Sequence, residues 1–366
     1  MRILQVSAEI FPLLKTGGLA DIAGALPAAL QEAGCDVRVM LPGFPAICAG
    51  LDGAVPVGSF AMPWGERVEV VYGTLPALAR EGRTLGAYVL IAPGLYDRPG
   101  NPYEDANKQA YGDNHRRFAA LGLAAAHVAH GLDAQWRPQL VHSHDWHAAL
   151  APASLALWNE GRGPHVPSVY TVHNLAYQGV FGPEHFGDLG LPGRAFHVHG
   201  MEFHGQLSFM KAGLFYANHV TTVSPTYAHE IQGPEQGCGL DGLLRARHQH
   251  LSGILNAVDD SVWNPATDTL IAHRFDARHM AGKAQSKAAL QAEMGLALEP
   301  DAPLFAVVSR LTEQKGLPLV LAAVDEIVSR GGQLLVLGSG ETGLEQAYLA
   351  QAKANKGRVA VQLGYD

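Results

Sequence analysis

The chain has 366 residues, 48% of them hydrophobic and 16% charged, and a formal net charge of −8. This composition excludes intrinsic disorder, and the length predicts two domains or one large one. The negative charge argues against a nucleic acid as the main partner, because that binding depends on excess lysine and arginine. An anionic ligand would therefore need a local cluster of basic side chains.

No apolar run is long enough to span a bilayer, since even residues 121–128, the longest candidate, are too few. The first residues lack the apolar stretch and small-residue cleavage site of a signal peptide. Cys35, Cys48 and Cys238 are unevenly spaced and form no C-x-x-C motif, so neither a disulfide framework nor a zinc ribbon is indicated. We therefore expect a cytoplasmic protein with no membrane partner.

The first predicted elements are a buried strand at residues 3–7 and an amphipathic helix at residues 19–30, with Gly34 as its C-terminal cap. Between them lies L-K-T-G-G-L-A-D, at residues 14–21. A glycine pair at such a junction lets the backbone approach a ligand, and the unpaired N–H groups of the helix point to the same place. With Lys15 beside it, the turn is suited to a diphosphate. An ordinary turn with a solvated lysine is the alternative.

Strand-like runs alternate with helical stretches along most of the remaining chain. This alternation predicts an α/β fold in which a parallel sheet carries helices on both faces. Ligands of such sheets gather beyond the carboxyl ends of the strands, which is where the unusual polar residues occur. The further strand-like runs are residues 37–41, 88–92, 140–144, 168–173 and 219–224, and the clearest helical stretches are residues 114–129 and 148–159.

The first polar cluster at a strand end is H-S-H-D-W-H, at residues 142–147. His142 and His144 share one face of an extended strand. Asp145 and His147 could complete a coordination shell, so zinc-assisted hydrolysis is one hypothesis. The alternative is a hydrogen-bonded pocket rim without a metal. We favour the rim, because no second carboxylate-rich segment appears at the other strand ends.

The second polar cluster is Y-T-V-H-N-L-A-Y-Q-G, at residues 170–179. His173 beside Asn174, with Tyr177 close behind, offers hydroxyl-binding groups and an aromatic face, which is the mixture that a sugar site requires. The stretch that follows, to residue 211, is rich in Gly, His and Phe. It predicts either a functional loop or a packed Ω-loop.

The alternation of strand-like and helical stretches is interrupted by a polar connecting segment and then resumes. We therefore divide the chain into domains at residues 1–251 and 252–366. In the second domain a strand at residues 304–309 precedes R-L-T-E-Q-K-G and a helix. Arg310 and Lys315 flank this turn and are suited to a phosphate, the first as a planar fork and the second as a point charge. Solvated surface side chains are the alternative.

One further motif predicts a different function. The run G-S-G-E-T-G, at residues 338–343, follows a strand and satisfies the G-x-G-x-x-G fingerprint of dinucleotide binding. Taken alone it indicates an NAD-dependent oxidoreductase. We rank this hypothesis second, because the fingerprint normally opens the fold whereas here it lies in the second βα unit of its domain.

Six segments, in order, resemble the bacterial glycogen synthase family of glycosyltransferases, and the resemblance extends over the whole chain. The resemblance implies the GT-B architecture, with two Rossmann-like domains facing a cleft. It implies transfer of glucose from ADP-glucose to the non-reducing end of an α-1,4-glucan such as glycogen, with retention of configuration and with no metal or other cofactor. The six segments are K-T-G-G-L-A-D at 15–21, H-D-W-H at 144–147, T-V-H-N-L-A-Y-Q-G at 171–179, V-S-P-T-Y-A at 223–228, G-I-L-N at 253–256 and S-R-L-T-E-Q-K-G at 309–316.

The resemblance assigns residues of both domains to the donor diphosphate. Lys15, with the Gly17–Gly18 turn, would approach it from the first domain. Arg310 and Lys315 would neutralise it from the second domain as catalytic groups.

Other residues are assigned to the sugar. His173 would lie against the transferred glucose as the third catalytic residue, in a pocket lined by Asn174, Asp145, Trp146 and Asn256. Asp21 is assigned to ligand organisation, although favourable charge at a helix N-terminus explains it equally well.

The family continues beyond the place where this chain stops, and nothing here corresponds to its later Glu-x7-Glu segment. A fragment without activity is therefore one expectation for these 366 residues. A non-catalytic module that binds glucan and nucleotide is the hypothesis from another class, beside the oxidoreductase.

Overall fold

The computed structural model describes residues 1–80, 82–158 and 165–364 and contains two compact units, Met1–Ala257 and Val258–Asp366. Residue 159, the predicted end of a helix, and Asp366 lie outside the described residues. No helix in the described part of the chain is long and apolar enough to cross a membrane.

The first unit is built on a nine-stranded sheet with the order β12-β11-β7-β6-β1-β2-β5-β4-β3. Its strands, and those of a separate small sheet (β8 to β10), are β1 (Arg2–Val6), β2 (Asp36–Pro42), β3 (Asp52–Ala61), β4 (Arg67–Arg80), β5 (Arg83–Ile91), β6 (Leu140–His144), β7 (Ser168–Val172), β8 (Val180–Phe181), β9 (Glu202–Phe203), β10 (Gln206–Ser208), β11 (His219–Thr222) and β12 (Leu251–Gly253).

Successive strands from β12 to β5 pair in parallel, which confirms the predicted α/β class. The carboxyl ends of β1, β6, β7 and β11 therefore meet at one edge of the sheet. The two remaining strands, β3 and β4, are antiparallel and were not predicted. β3 contains Pro56 and Gly58 and is largely exposed, so it lacks the apolar alternation by which a strand is recognised.

The helices of this unit cover the sheet. They are α1 (Gly18–Glu32), α2 (Pro45–Ala49), α3 (Pro93–Tyr96), α4 (Asn114–Ala129), α5 (Asp145–Ala148), α6 (Leu150–Leu157), α7 (Phe209–Tyr216), α8 (Pro225–Glu230) and α9 (Asp241–Ala246), with 3₁₀ turns at Pro183–Leu189, Gly193–Ala195 and His248–His250. In α4 every residue except Arg116 and His127 is buried, which fits the uninterrupted apolar run at residues 118–126.

The segment between β7 and α7, expected to be a long loop, contains regular structure. β8, β10 and β9 form a three-stranded antiparallel sheet within it. The buried Lys211 of α7 donates from Nζ to the carbonyl oxygens of Val198 and Glu202, which fixes the segment to the helix. Strands of two or three residues show no periodicity in a sequence, so they could not be predicted.

The second unit contains a three-stranded parallel sheet with the order β13-β14-β15. Its elements are α10 (Ala281–Glu293), β13 (Leu304–Val308), a 3₁₀ turn at Glu313–Lys315, α11 (Leu317–Ala322), α12 (Val324–Ser329), β14 (Gln333–Gly338), α13 (Thr342–Ala354) and β15 (Val359–Leu363). β13 is an edge strand in the described chain, and Phe305 and Val308 on it are 51% and 73% exposed.

The close packing of α4 against α6 generates a stability prediction. A Cβ at Gly122 would lie 2.8 Å from Cβ of Leu150 and 2.9 Å from the backbone nitrogen of Ala151. These atoms cannot rotate away, so Gly122→Val must push the helices apart, at a cost of about 3 kcal/mol that outweighs a helix-propensity gain of a few tenths.

We expect Gly122→Val to lower the free energy of unfolding in urea by about 2–3 kcal/mol. Gly193→Val is the matched control, because no described atom lies within 4 Å of a Cβ at that position. Equal stability of the two variants would show that α4 and α6 are not packed as described.

Candidate functional site

The turn after β1 is held by a buried carboxylate. Glu9 is 2% exposed, and its Oε2 accepts a hydrogen bond of 2.6 Å from the backbone N–H of Thr16. The hydroxyls of Thr16 and Tyr103 both donate to Oε1. Burial and the charge of Glu9 raise the pKa of Tyr103 well above its usual value, so Tyr103 keeps the proton that it donates.

Sequence reasoning missed both Glu9 and Tyr103. The signal for Glu9 was an acidic residue in the otherwise apolar run that continues from β1. Tyr103 gave no such signal, since its position depends on backbone contacts. The buried Arg117 donates to the carbonyl of Pro102 at 2.8 Å, and Asn114 Nδ2 donates to the carbonyl of Tyr103 itself at 2.9 Å.

The structure brings Lys15, Gly17, Gly18 and Asp21 together at the start of α1. Lys15 Nζ lies 2.8 Å from Asp21 Oδ1, and both side chains are partly exposed. Gly17 is extended, with φ −164°, and no described atom lies within 4 Å of a Cβ built on either glycine. Neither the backbone conformation nor the packing of the described chain therefore requires glycine at these two positions.

The histidines at the end of β6 form hydrogen bonds and ring contacts. His142 Nε2 lies 2.7 Å from Thr171 Oγ1, and His144 Nδ1 lies 2.9 Å from His173 Nε2. The ring of His147 stacks on Tyr103. Among residues 1–80, 82–158 and 165–364, the one group with metal-ligand spacing is elsewhere, at His115, His185 and Asp188. These histidines therefore contact neighbouring side chains through hydrogen bonds and ring packing, and the pocket rim that the sequence favoured stays a prediction.

Asp145 begins α5 in a left-handed conformation, with φ +54°, which is unusual for a residue other than glycine. Its Oδ1 accepts from the backbone N–H groups of His173 at 2.8 Å and of Asn174 at 3.4 Å. Burial raises the pKa of Asp145 to about 7, although these two N–H groups favour the ionised form. Asp145 thus joins the end of β6 to the loop after β7.

His173 and Asn174 lie at the end of β7, where both are partly exposed. Burial, with a smaller effect of His142, lowers the pKa of His173 to about 4, so its imidazole is neutral at pH 7. Asn174 Oδ1 accepts from the backbone N–H of Ala176 at 3.1 Å. The loop therefore presents a neutral ring that can donate or accept one hydrogen bond.

Trp146 forms one wall of an open pocket of about 400 Å³. Its ring lies so close to Gly179 that a Cβ there would be 2.3 Å from Trp146 Cε3, and Gly179 also has φ +59°. Only glycine fits this position, which keeps the indole against the loop. The pocket is lined by Trp146, Ala176, Tyr177, Gln178, Gly179, Val180 and Phe203.

The remaining predicted site residues are exposed. Asn256 follows β12, three residues beyond the end of that strand. Arg310 and Lys315 lie in the second unit, in the turn between β13 and α11. The structure therefore brings together the predicted site residues in the turn after β1 and at the ends of β6 and β7. Asn256, which is also in the first unit, lies beyond β12.

The G-x-G-x-x-G motif also lies in the second unit, and two of its glycines have a structural cause. A Cβ at Gly338 would lie 1.9 Å from the carbonyl oxygen of Ser309, and a Cβ at Gly340 would lie 2.2 Å from that of Leu311. The turn after β14 is hydrogen-bonded to the turn after β13, with the Leu311 N–H donating to Ser339. Close packing of two turns explains these glycines without a dinucleotide.

Burial of His147 generates a pH prediction. Its pKa falls to about 3 in the folded chain, mainly through desolvation, whereas an unfolded histidine titrates near 6.5. Below pH 6.5 the unfolded chain takes up the proton first, so the contribution of His147 to stability is lost as the pH falls from 6.5 towards 3. His147→Phe keeps the ring against Tyr103 and removes the titration.

When the pH is lowered from 7 to 5, the free energy of unfolding of His147→Phe should rise by about 2 kcal/mol relative to that of the parent chain. Urea unfolding of both proteins at each pH measures this difference. The same difference measured at pH 7 and pH 8 should stay constant, which serves as the internal control. Parallel stability curves from pH 7 to pH 5 would contradict a buried neutral histidine at this position.

Comparison with known proteins identifies the family to which the chain belongs. A family model described as the starch synthase catalytic domain matches residues 2–246. The curated glycogen synthases of Variovorax paradoxus and Leptothrix cholodnii are 62% and 58% identical to the chain, and that of Edwardsiella ictaluri is 54% identical. Each alignment covers the whole chain and 74–75% of the relative.

Among solved structures, the chain is similar to the catalytic domain of starch synthase IV from Arabidopsis thaliana, bound to ADP and acarbose. The TM-score is 0.85 at 28% sequence identity, and the match covers all of this chain and 74% of that one. The chain belongs to the glycogen synthase family, whose members are glycosyltransferases with the GT-B fold.

Proposed function

We propose that this chain transfers glucose from ADP-glucose to the non-reducing end of an α-1,4-glucan such as glycogen, with retention of configuration. The names of its relatives and the ADP and acarbose bound to the Arabidopsis starch synthase support both substrates. The observation in the chain itself that carries the proposal is the open Gly17–Gly18 turn beside Lys15. A cytoplasmic location is part of the proposal, supported by the three scattered cysteines.

The turn after β1 has the features of a diphosphate site. α1 is 15 residues long, and its N-cap Gly17 supplies no side-chain acceptor for the N–H groups of the first turn. These N–H groups and the helix dipole favour a negative charge. The space beside both glycines is free of described atoms, so a phosphate can approach the backbone directly.

Two carboxylates prepare this turn for its ligand. Glu9 fixes the backbone of Thr16, so the turn is ordered before binding. Asp21 holds Lys15 at the start of the helix. We propose that Lys15 contacts the diphosphate from there and that Asp21 acts by orienting Lys15, which refines the ligand role expected for it.

We propose the same task, neutralising the diphosphate, for Arg310 and Lys315. Both residues lie in the second unit, Val258–Asp366. The domain boundary between residues 251 and 252 stays a prediction, and the structure places β12 (Leu251–Gly253) in the sheet of the first unit. Arg310 and Lys315 are both exposed cations at the carboxyl end of β13, where ligands of parallel sheets gather. Their family motif, S-R-L-T-E-Q-K-G, is the further support.

The transferred glucose would lie against His173, which is neutral and so can hydrogen-bond a hydroxyl without adding charge. Asn174 and Asn256 would supply further polar contacts. Since Oδ1 of Asp145 is occupied by two backbone N–H groups, we propose that Asp145 holds the His173–Asn174 loop in place. The aromatic pocket at Trp146 is suited to a glucosyl unit of the acceptor, because sugars present apolar faces to such rings.

The proposed chemistry needs no protein nucleophile. As the bond between glucose C1 and the phosphate oxygen breaks, negative charge grows on the leaving ADP and is stabilised by Lys15, Arg310 and Lys315. The acceptor O4 bonds to C1 on the same face. Its proton passes to the departing phosphate oxygen, so that atoms and charge balance.

The direct test is transfer of ¹⁴C-glucose from ADP-glucose to glycogen, with the product cut by an α-1,4-specific hydrolase. It is run with this chain and with a chimera that carries the remaining quarter of the length of the Variovorax relative. We expect label in α-1,4 linkage and one ADP released per glucose. An extended protein that folds but transfers no glucose would refute the proposed function.

A second prediction concerns the open turn. Ala in place of Gly18 should keep or raise stability, by up to ~1 kcal/mol, because alanine favours the helix. The same methyl group enters the space proposed for the phosphate, so ADP affinity should fall about 10-fold, a loss of 1.4 kcal/mol.

Titration calorimetry with ADP measures this effect, and Gly193→Ala is the matched control at an equally open glycine. Unchanged ADP affinity in Gly18→Ala would place the diphosphate elsewhere.

A further inference from the structure

The hydrogen bond between His144 and His173 has no role in the function proposed so far. We propose that His144 is a positioning residue that fixes the tautomer of His173, so that His173 presents its Nδ1–H to the transferred sugar. The inference rests on the proposed function for the identity of the sugar. The tautomer itself can be measured without any activity.

The two histidines belong to neighbouring parallel strands. His144 is the last residue of β6, and it pairs in register with Thr171, two residues before His173. His144 is fully buried, whereas His173 is partly exposed at the end of β7. His144 Nδ1 and His173 Nε2 are 2.9 Å apart, which is a hydrogen-bond distance.

The ring of His144 and the backbone of His173 are both held by other residues. The ring of His144 lies against that of His142, with 4.3 Å between centroids, and His142 is itself bonded to Thr171. The backbone N–H of His173 is bound by Asp145. The ring of His144 cannot leave the contact without losing its packing against His142, and the backbone of His173 is held beside it, so the two rings meet at a fixed place in the pocket wall.

One proton occupies this contact, because each neutral imidazole carries one N–H and burial keeps both rings neutral. Either His144 donates from Nδ1, or His173 donates from Nε2. The two arrangements differ at the far side of His144, whose Nε2 is buried and has no hydrogen-bond partner in the described part of the chain.

The buried Nε2 decides between them. If His173 donated, His144 would carry its proton on Nε2, and a buried N–H would have no acceptor. If His144 donates from Nδ1, its Nε2 carries no proton, and only an acceptor lone pair is left without a donor. Buried N–H groups without a partner are rarer in proteins than buried acceptors without one. His144 therefore donates, His173 Nε2 accepts, and the proton of His173 is on Nδ1.

This arrangement makes His173 a donor of fixed direction. Its Nε2 is occupied by His144, so the nitrogen left for a ligand is Nδ1, which carries the proton. Such a ring donates to a sugar hydroxyl oxygen, and no rotation or tautomer change is needed as the reaction proceeds. Without His144, His173 could carry its proton on either nitrogen.

The test uses two substitutions of His144 and long-range ¹H–¹⁵N NMR spectra of selectively labelled histidine. His144→Asn retains an N–H donor near the place of Nδ1, whereas His144→Leu removes it. In the parent chain and in His144→Asn we expect His173 to be protonated on Nδ1. In His144→Leu the His173 resonances should show both tautomers. His173 protonated on Nε2 in the parent chain would overturn the proposal.

The kinetic arm uses the glucose-transfer assay. We expect His144→Leu to lower kcat about 10- to 100-fold, by analogy with the loss seen when the partner that orients a metal-bound histidine is removed. KM for ADP-glucose should change much less, and His144→Asn should recover most of the rate. If His144→Leu mixes the tautomers but leaves kcat unchanged, the tautomer has no role in transfer. An assignment of Nδ1–H in a protein with no transfer would overturn the proposed function alone.

Discussion

The parallel pairing of β1, β6 and β7 is the constraint on which the rest of the structure depends. It brings the carboxyl ends of three strands to one edge, although more than a hundred residues separate β1 from β6 along the chain. At this edge the backbone is held by carboxylates rather than by secondary structure. Glu9 binds the turn after β1, and Asp145 binds the loop after β7. Each carboxylate fixes a neighbouring segment, so the site is ordered before any ligand arrives.

Desolvation sets the protonation states of the histidines and of Asp145 at this edge of the sheet. His144, His147 and His173 all have lowered pKa values because the surrounding protein shields them from water, and Asp145 has a raised one for the same reason. The three histidines in the wall of the proposed glucose pocket are therefore neutral near pH 7. The cations that we assign to the diphosphate, Lys15, Arg310 and Lys315, are by contrast partly or fully exposed. This separation fits a reaction in which negative charge grows on the leaving group while the sugar is held by neutral hydrogen bonds.

Several local features could be predicted from the sequence because each depends on neighbouring residues. The helix at residues 114–129 was predicted with both its ends, and the strand at residues 140–144 likewise. The β3–β4 pair was missed, because an exposed edge strand shows no apolar alternation. The G-x-G-x-x-G motif indicated a dinucleotide, whereas Gly338 and Gly340 are required by the adjacent backbone of Ser309 and Leu311. A local pattern cannot distinguish a glycine that faces a ligand from one that faces its own chain.

The sequence by itself determined the α/β class, the family and the open Gly17–Gly18 turn, because these follow from patterns within short segments. Only the tertiary structure decided which side chains meet. Glu9 with Tyr103, Asp145 with His173 and His144 with His173 are separated by 94, 28 and 29 residues along the chain. Burial, which sets the pKa values of the histidines, likewise arises only when the strands and helices have packed. For that reason the residues of the site could be named in advance, but the hydrogen bonds between them could not.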